Sequence, residues 1–341
     1  MLRVSLLSES EFTIVGHGVH SAFIDNAQHL DVANDARRVS PWDLKHSDIL
    51  HVHSAGPLAL ALMHRHSGPR IATAHITAQS FIGSLSYAEA FGSFLNGYLR
   101  HFYSQPDLIL AVSAGAASEL HAMGIERPIR VLPNAVDCAS LLKTSGRRDA
   151  IRAKLGWDGR QVILAVGQVQ PRKGVKEFIE CAEMFPEANF VWIGSFLFGP
   201  LSAERAQLRQ AICGAPSNVT FTGILPRPRV YEHYAAADIF FHPSHHETFG
   251  LAILEAAAAG LPILLRDLPL YRDIYGNGYI AADGDFAGAL RMLIQSRDHR
   301  QDLGAKALRV ARKYDQRMHW NDLRAAYFHA TELWQARSTA M

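Results

Sequence analysis

Two carboxylates eight positions apart, Glu247 and Glu255, bracket the start of an alanine-rich apolar run. Thr248, Phe249 and Gly250 separate the first acid from Leu251, where the run begins. Polar residues before Gly250 and good helix formers after it predict a helix starting there, with Glu247 just outside and Glu255 in its second turn. At a rise of about 1.5 Å per residue, Glu255 falls roughly 8 Å along the axis from Gly250. Free N–H groups and the positive end of the helix then lie between the two acids, a ready seat for phosphate. Either acid can accept hydrogen bonds from hydroxyls on its own side of a bound diphosphate. A nucleotide-sugar suits that arrangement. An acid buried among Leu, Ile and Ala is expensive without partners, so Glu255 is there for a reason.

A second cluster supplies the opposite charge. Gly167-Gln168-Val169-Gln170-Pro171-Arg172-Lys173-Gly174 follows a strand-like run and opens a helix. Its bounding glycines let backbone approach a ligand, and Arg172 with Lys173 sets two cations side by side. Charge that builds on a departing diphosphate can be stabilised by such cations in place of a metal. Alone, the turn reads rather as a solvated basic loop; in register with the two acids, the diphosphate role is preferred. His75 closes the strand-like run Arg70–Ala74, at the tip where open α/β sheets bind ligands. A histidine there is either a site residue or a satisfied residue at the core edge. Asp283-Gly284-Asp285 has the form of a metal-binding pair, but it precedes a helical pattern and is expected to cap it.

Composition narrows the rest. The net charge of +2 gives no case for nucleic acid, and the 18 histidines are scattered without a third ligand at metal spacing. Cys138, Cys181 and Cys213 are odd in number and far apart, which favours a reducing cytoplasm. No apolar run reaches the length of a spanning helix, and Met1–Ser8 reads as a first strand rather than a signal peptide.

The elements that must position these residues alternate between short apolar strands and helical patterns, the mark of parallel βαβ units. Strands are predicted over Arg3–Ser8, Asp48–His53, Arg70–His75, Leu108–Ser113 and Ile129–Leu132. The polar segment Lys143–Asp149 reads as a linker. Strands resume over Gln161–Gly167, Asn189–Gly194, Asn218–Thr222, Asp238–His242, Pro262–Arg266 and Gly278–Ile280. Helices are predicted over Val175–Phe185 and Phe286–Gln295. A last helix, about Gln316–Arg337, carries Trp320, Leu323, Tyr327 and Trp334 at helical spacing.

With both clusters and this alternation in hand, the chain resembles retaining glycosyltransferases of family 4, which have the GT-B fold. The resemblance implies an α/β architecture of two facing Rossmann-like domains with a cleft between them and a C-terminal helix crossing back. Residues 1–140 would form the acceptor-side domain, 150–317 the donor-binding domain, and 318–341 would pack back on the first. It also implies a glycine loop beside the donor, matched by Gly16-His17-Gly18-Val19, with His20 facing the acceptor or serving as an ordinary first-turn residue. His75 matches a histidine that contacts the transferred sugar. Gly194 with Ser195, and Leu225 after Gly223, match stretches that sandwich the base. Ser113 and Asn134 match positions lining the cleft. Where the family often places arginine after the first glycine this chain has Gln168, so that duty passes to Arg172. The adjacent Arg-Lys-Gly form is shared with membrane-lipid glucosyltransferases of the family.

The resemblance implies hexose transfer from a nucleotide-sugar co-substrate, UDP-glucose favoured, with retention and without metal or other cofactor. Glu247 would hold sugar hydroxyls and Glu255 the ribose, while Arg172, Lys173 and the helix at Gly250 stabilise the leaving diphosphate. The aromatic run Phe81, Tyr87, Phe91, Phe94, Tyr98, Phe102 and Tyr103 falls where the family flanks its acceptor, and reads either as core or as an interfacial segment. With Arg266-Asp267-Leu268-Pro269 and the Arg-Lys-Gly turn, it brings the chain nearest to diacylglycerol α-glucosyltransferases, cytoplasmic and peripheral at the membrane. A soluble or polyprenyl-linked saccharide is the rival acceptor. A catalytically silent sugar-nucleotide-binding subunit is the alternative of another class.

Overall fold

A computed structural model describes residues 1–11, 18–81, 92–157, 159–196 and 202–339. The chain divides into two compact units, the second holding 136–315 and the first the rest of the described residues.

The first unit runs β1 (Leu2–Leu7), α1 (Gly18–Val32), β2 (Ala36–Val39), β3 (Ile49–Val52), α2 (Pro57–Arg65), β4 (Arg70–Ala74), α3 (Gly92–Tyr103), β5 (Leu108–Ala111), α4 (Ala114–Ala122) and β6 (Ile129–Val131). Its six strands are all parallel, in the order β2-β1-β3-β4-β5-β6. Strands β3 and β5 are buried at every position, so β5 is apolar throughout and β3 is apolar but for His51, with no alternation in either. The edge strand β2 went unpredicted: Arg37 and Arg38 occupy its middle, exposed, and leave no apolar run to find.

The second unit runs α5 (Cys138–Ser145), α6 (Arg148–Leu155), β7 (Val162–Val166), α7 (Val175–Met184), β8 (Asn189–Ile193), α8 (Arg205–Cys213), β9 (Val219–Gly223), α9 (Arg227–Ala236), β10 (Ile239–His242), α10 (Leu251–Ala258), β11 (Ile263–Arg266), α11 (Pro269–Tyr275), β12 (Ile280–Ala282), α12 (Phe286–Gln295) and α13 (Arg297–Ala311). Its parallel sheet has the order β12-β11-β10-β7-β8-β9. The strand order reverses between β7 and β10, the switch point outside which doubly wound sheets bind ligands. Phe178 of α7 sits at the centre of the core, with its ring 5.2 Å from that of Trp192 and 5.3 Å from that of Phe190.

The expected linker Lys143–Asp149 is not one. Helix α5 ends at Ser145 and α6 begins at Arg148, leaving only Gly146 and Arg147 between them. The polar side chains there are outer faces of helices that bury Leu141 and Ile151. Asp238 explains α6: its carboxylate binds Arg148, Arg152 and the Val162 N–H, tying that helix to the start of β7.

The closing helix α14 (Gln316–Thr339) belongs to the first unit. It buries Leu323, Ala326, Tyr327 and Ala330 in the core that holds Leu6, Ile49 and Leu110. Trp320 packs at the margin of that core, and Trp334, expected in the same stripe, is only half-buried. Asp285 caps α12 by accepting the Gly288 N–H at 2.8 Å, the capping role predicted for it.

Candidate functional site

Both chemical clusters fall at the switch point of the second unit. Lys173 lies on the turn between β7 and α7, Glu247 on the loop between β10 and α10. Lys173 donates to Glu247 Oε1, and both side chains are almost fully buried. His242, at the end of β10, donates its Nε2–H to the same oxygen at 2.8 Å. Two hydrogen bonds, one backbone and one from a side chain, weld the turn to the loop: the His245 N–H reaches the Arg172 carbonyl at 2.7 Å, and Arg172 Nη1 reaches the His246 carbonyl at 3.0 Å. Gly174 makes that contact possible, at φ 75° and with a Cβ position 2.5 Å from the Pro243 carbonyl oxygen.

Burial is the largest influence on each charged group here and opposes the charge. At Lys173 it wins, bringing the ammonium down to about 8 against the pull of Glu247. At Glu247 the opposing influences win: Lys173, the His242 hydrogen bond and Arg172 hold the carboxyl well below its usual range. His242 is lowered by burial and is neutral, so its bond to Glu247 is one of a neutral donor to a carboxylate. Its Nδ1 is buried and has no hydrogen-bond partner among the described residues. A carboxylate so held stays ionised at neutral pH, in a fixed orientation, and can only accept.

Helix α10 begins at Leu251 behind Gly250 in the left-handed region, φ 84°. Glu255 is buried on it, with Oε2 accepting from Tyr234 Oη at 3.2 Å and Oε1 3.5 Å from Arg227. Phe249 and Leu251 face inward; the Phe249 ring meets Tyr314 edge-on at 5.9 Å. They hold the helix start in place, while Thr248 is half-buried beside Glu247.

Three strand ends adjoin. The Gly167 N–H donates to the Ile193 carbonyl at 2.9 Å, and the Gly194 N–H to the Gly223 carbonyl at 2.9 Å. A Cβ on Gly194 would stand 1.9 Å from the Gly167 oxygen, so no other residue fits there. The Ser195 carbonyl accepts from Val169 at 3.0 Å, and Leu225 follows two residues after Gly223, half-buried.

The chain matches the family model described as Glycosyl transferases group 1 over residues 147–310, and that described as Glycosyltransferase Family 4 over residues 5–140. It is 31% identical to the alpha-galactosylglucosyldiacylglycerol synthase of Streptococcus pneumoniae, over 92% of this chain and 86% of that one. The chain belongs to the family 4 glycosyltransferases. It is also 28% identical to the processive diacylglycerol alpha-glucosyltransferase of Acholeplasma laidlawii, over 80% of this chain and 81% of that one. Its fold is that of Anabaena HepE, solved with UDP-glucose, at a TM-score of 0.80 and 16% identity over 96% of this chain and 100% of that one. This is the GT-B glycosyltransferase architecture that the sequence resemblance implied.

Of the residues this glycosyltransferase was expected to use, Gly167, Arg172, Lys173, Gly194, Ser195, Leu225, Glu247, Thr248, Phe249, Gly250, Leu251 and Glu255 all lie in the second unit at or near the carboxyl ends of β7 to β10. His75 follows β4 in the first unit, buried, with Nε2 3.1 Å from His53 Nδ1. Gly18 is the exposed first residue of α1, and Gly16 lies outside the described residues. Ser113 caps α4, accepting the Ala116 N–H at 3.0 Å, an ordinary structural duty. His20 meets Ser10 Oγ at 3.4 Å through Nδ1.

Two residues escaped the sequence reading. His242 looked like the last residue of a strand, and only the fold back from Glu247 brings it into contact. Tyr271 of α11 is buried, its hydroxyl without a partner among the described residues; burial, then the charge of Glu247, raises it far above a phenol's usual range. Nothing in its sequence neighbourhood signals proximity to Glu247. Among the described residues no three His, Cys, Asp or Glu side chains are grouped to hold a metal ion.

Proposed function

We propose that this glycosyltransferase moves a hexose, glucose first, from a UDP carrier to a diacylglycerol-linked hydroxyl, with retention and without a metal. The observation that carries the reading is the buried Lys173–Glu247 pair at the β7/β10 switch point, with His242 fixing the carboxylate from behind. Glu247 accepts hydrogen bonds from hydroxyls of the transferred sugar. Arg172 and Lys173 stabilise charge that develops on the departing diphosphate, aided by the N–H groups that open α10. Glu255, steadied by Tyr234, accepts from the ribose hydroxyls. No side chain is assigned as nucleophile, so the acceptor attacks from the face the diphosphate leaves, and the leaving oxygen takes the acceptor proton.

The acceptor class draws support from the two relatives, both named for diacylglycerol glycolipids made in α-linkage. Phe94, 74% exposed on α3, with Arg100 and His101 in the last turn of that helix, suits contact with an anionic bilayer surface. Phe102 and Tyr103 of the same helix belong to the core instead, and Tyr103 donates to the Ile76 carbonyl at 2.7 Å. No helix among the described residues is long and apolar enough to cross a membrane, so attachment would be peripheral.

The test is incubation with UDP-glucose, UDP-galactose, UDP-GlcNAc or GDP-mannose and vesicles containing diacylglycerol or glucosyldiacylglycerol, with the product anomer read by NMR. An α-hexosyl lipid from a UDP-hexose is expected. Transfer to soluble saccharides alone would overturn the acceptor assignment; turnover of GDP-mannose alone would overturn the donor; a β-linked product would overturn retention.

A further inference from the structure

A polar chain, buried except at the half-buried His319, runs through the first unit from the tip of β4 to α14. His75 Nε2 is 3.1 Å from His53 Nδ1, His53 Nε2 is 3.3 Å from Asn26 Nδ2, and Asn26 Oδ1 is 3.1 Å from His319 Nε2. The His53 and His75 rings stack with centroids 5.3 Å apart, and neither His53, His75 nor Asn26 is more than 7% exposed. His51 lies alongside, its ring 4.4 Å from that of His53, but its nitrogens are engaged elsewhere, by Tyr327 Oη at 3.1 Å and Thr73 Oγ1 at 2.7 Å.

The His51, His53 and His319 rings are neutral. Burial is the main cause in each case: it brings His319 down to about 4, and puts His53 well below the ordinary histidine range, with His51 and His75 adding to the effect. A neutral imidazole has one donor nitrogen and one acceptor nitrogen, and an amide has one donor end and one acceptor end. Asn26 between two rings therefore forces His53 and His319 into opposite roles. The role of His53 Nε2 then fixes that of its Nδ1, and so the nitrogen on which His75 carries its hydrogen.

We propose that Asn26 and His53 are positioning residues that hold His75 in a single tautomer, with His319 of α14 setting which way Asn26 faces. This rests on the reading that puts His75 beside the transferred sugar, where one defined ring nitrogen, not a mixture, meets a sugar hydroxyl. The last helix of the chain thereby bears on a residue at the end of the fourth strand.

The test is ring 15N spectroscopy of the histidine-labelled protein, with His75 assigned by its absence in His75→Gln. One neutral tautomer is expected for His75 in the native protein and a mixture in Asn26→Leu. Glycosyl transfer by Asn26→Leu should fall about tenfold in kcat with the donor KM little changed. If Asn26→Leu does not fold, His319→Leu, which frees the amide to turn, should give the same mixture. A tautomer mixture in the native protein, or an unchanged single tautomer in the folded variant, overturns the proposal. Full activity in His75→Ala would instead remove His75 from the reaction and leave the ring spectra to decide the relay separately.

Discussion

Lys173 and Glu247 meet as a buried ion pair although 74 residues separate them in the chain. Neither charge is affordable alone at that depth. Together, with His242 on the same carboxylate oxygen, they form a preset pair of one acceptor and one cation at the switch point of the second unit's sheet.

Replacing either partner should damage catalysis more than donor binding. Lys173→Ala removes charge stabilisation that matters most as the diphosphate departs, and kcat should drop about 10²–10³-fold. Calorimetry should show that the donor still binds. Unchanged turnover in Lys173→Ala and Glu247→Ala with the true donor and acceptor would remove this pair from the mechanism.

Activity should decline as pH rises through about 8, the region where Lys173 loses its proton. The sign follows from the group: deprotonation deletes the cation facing the leaving group, so the alkaline side is the inactive one. Lys173→Arg, permanently charged, should carry the descending limb to higher pH in a kcat/KM profile. An identical limb in that variant would assign the titration to another group.

Chelation should leave the rate unaltered, since Arg172, Lys173 and the start of α10 are assigned the task a divalent ion performs elsewhere. Initial rates after EDTA treatment check this. A rate lost with EDTA and recovered with magnesium or manganese would reassign the charge stabilisation to a metal.

The buried histidines should make the protein acid-sensitive. Burial, the largest cause, lowers His51 to about 3 and His319 to about 4, so between these values and the ordinary 6.5 the unfolded chain binds more protons than the folded one. Stability is therefore complete above 6.5 and falls as pH drops, by up to about 1.4 kcal/mol per pH unit for each such histidine. Melting temperatures between pH 7 and pH 5 should show it, and His319→Gln should flatten the slope.

Gly194→Ala should unfold or badly weaken the sheet of the second unit. Its φ of 139° and a Cβ position 1.9 Å from the Gly167 oxygen leave no relaxed arrangement between β7 and β8. Gly156→Ala, at φ 68° but in open space, should cost far less, on the order of 1 kcal/mol. Comparable melting points for the two variants would deny the close approach of those strand ends.

Much of this was legible in the chain. Apolar runs such as Val162–Val166 and Ile239–His242, separated by helical periods, determine a parallel α/β protein, because strands buried on both faces must be apolar throughout. Gly250 before the alanine-rich run places the start of α10 at Leu251 from local propensities alone. What needed the tertiary structure was every partnership across distant segments. Lys173 joins Glu247, Tyr234 joins Glu255, and His53 joins His75 only once strands and helices have been laid side by side. Lys143–Asp149 read as a linker because polarity is visible in sequence, whereas the buried Leu141 and Ile151 that turn it into helix faces depend on what packs beneath. Local composition sets which element a segment forms and which groups it carries; burial, and with it the charge state and company of those groups, is a property of segments brought together from afar.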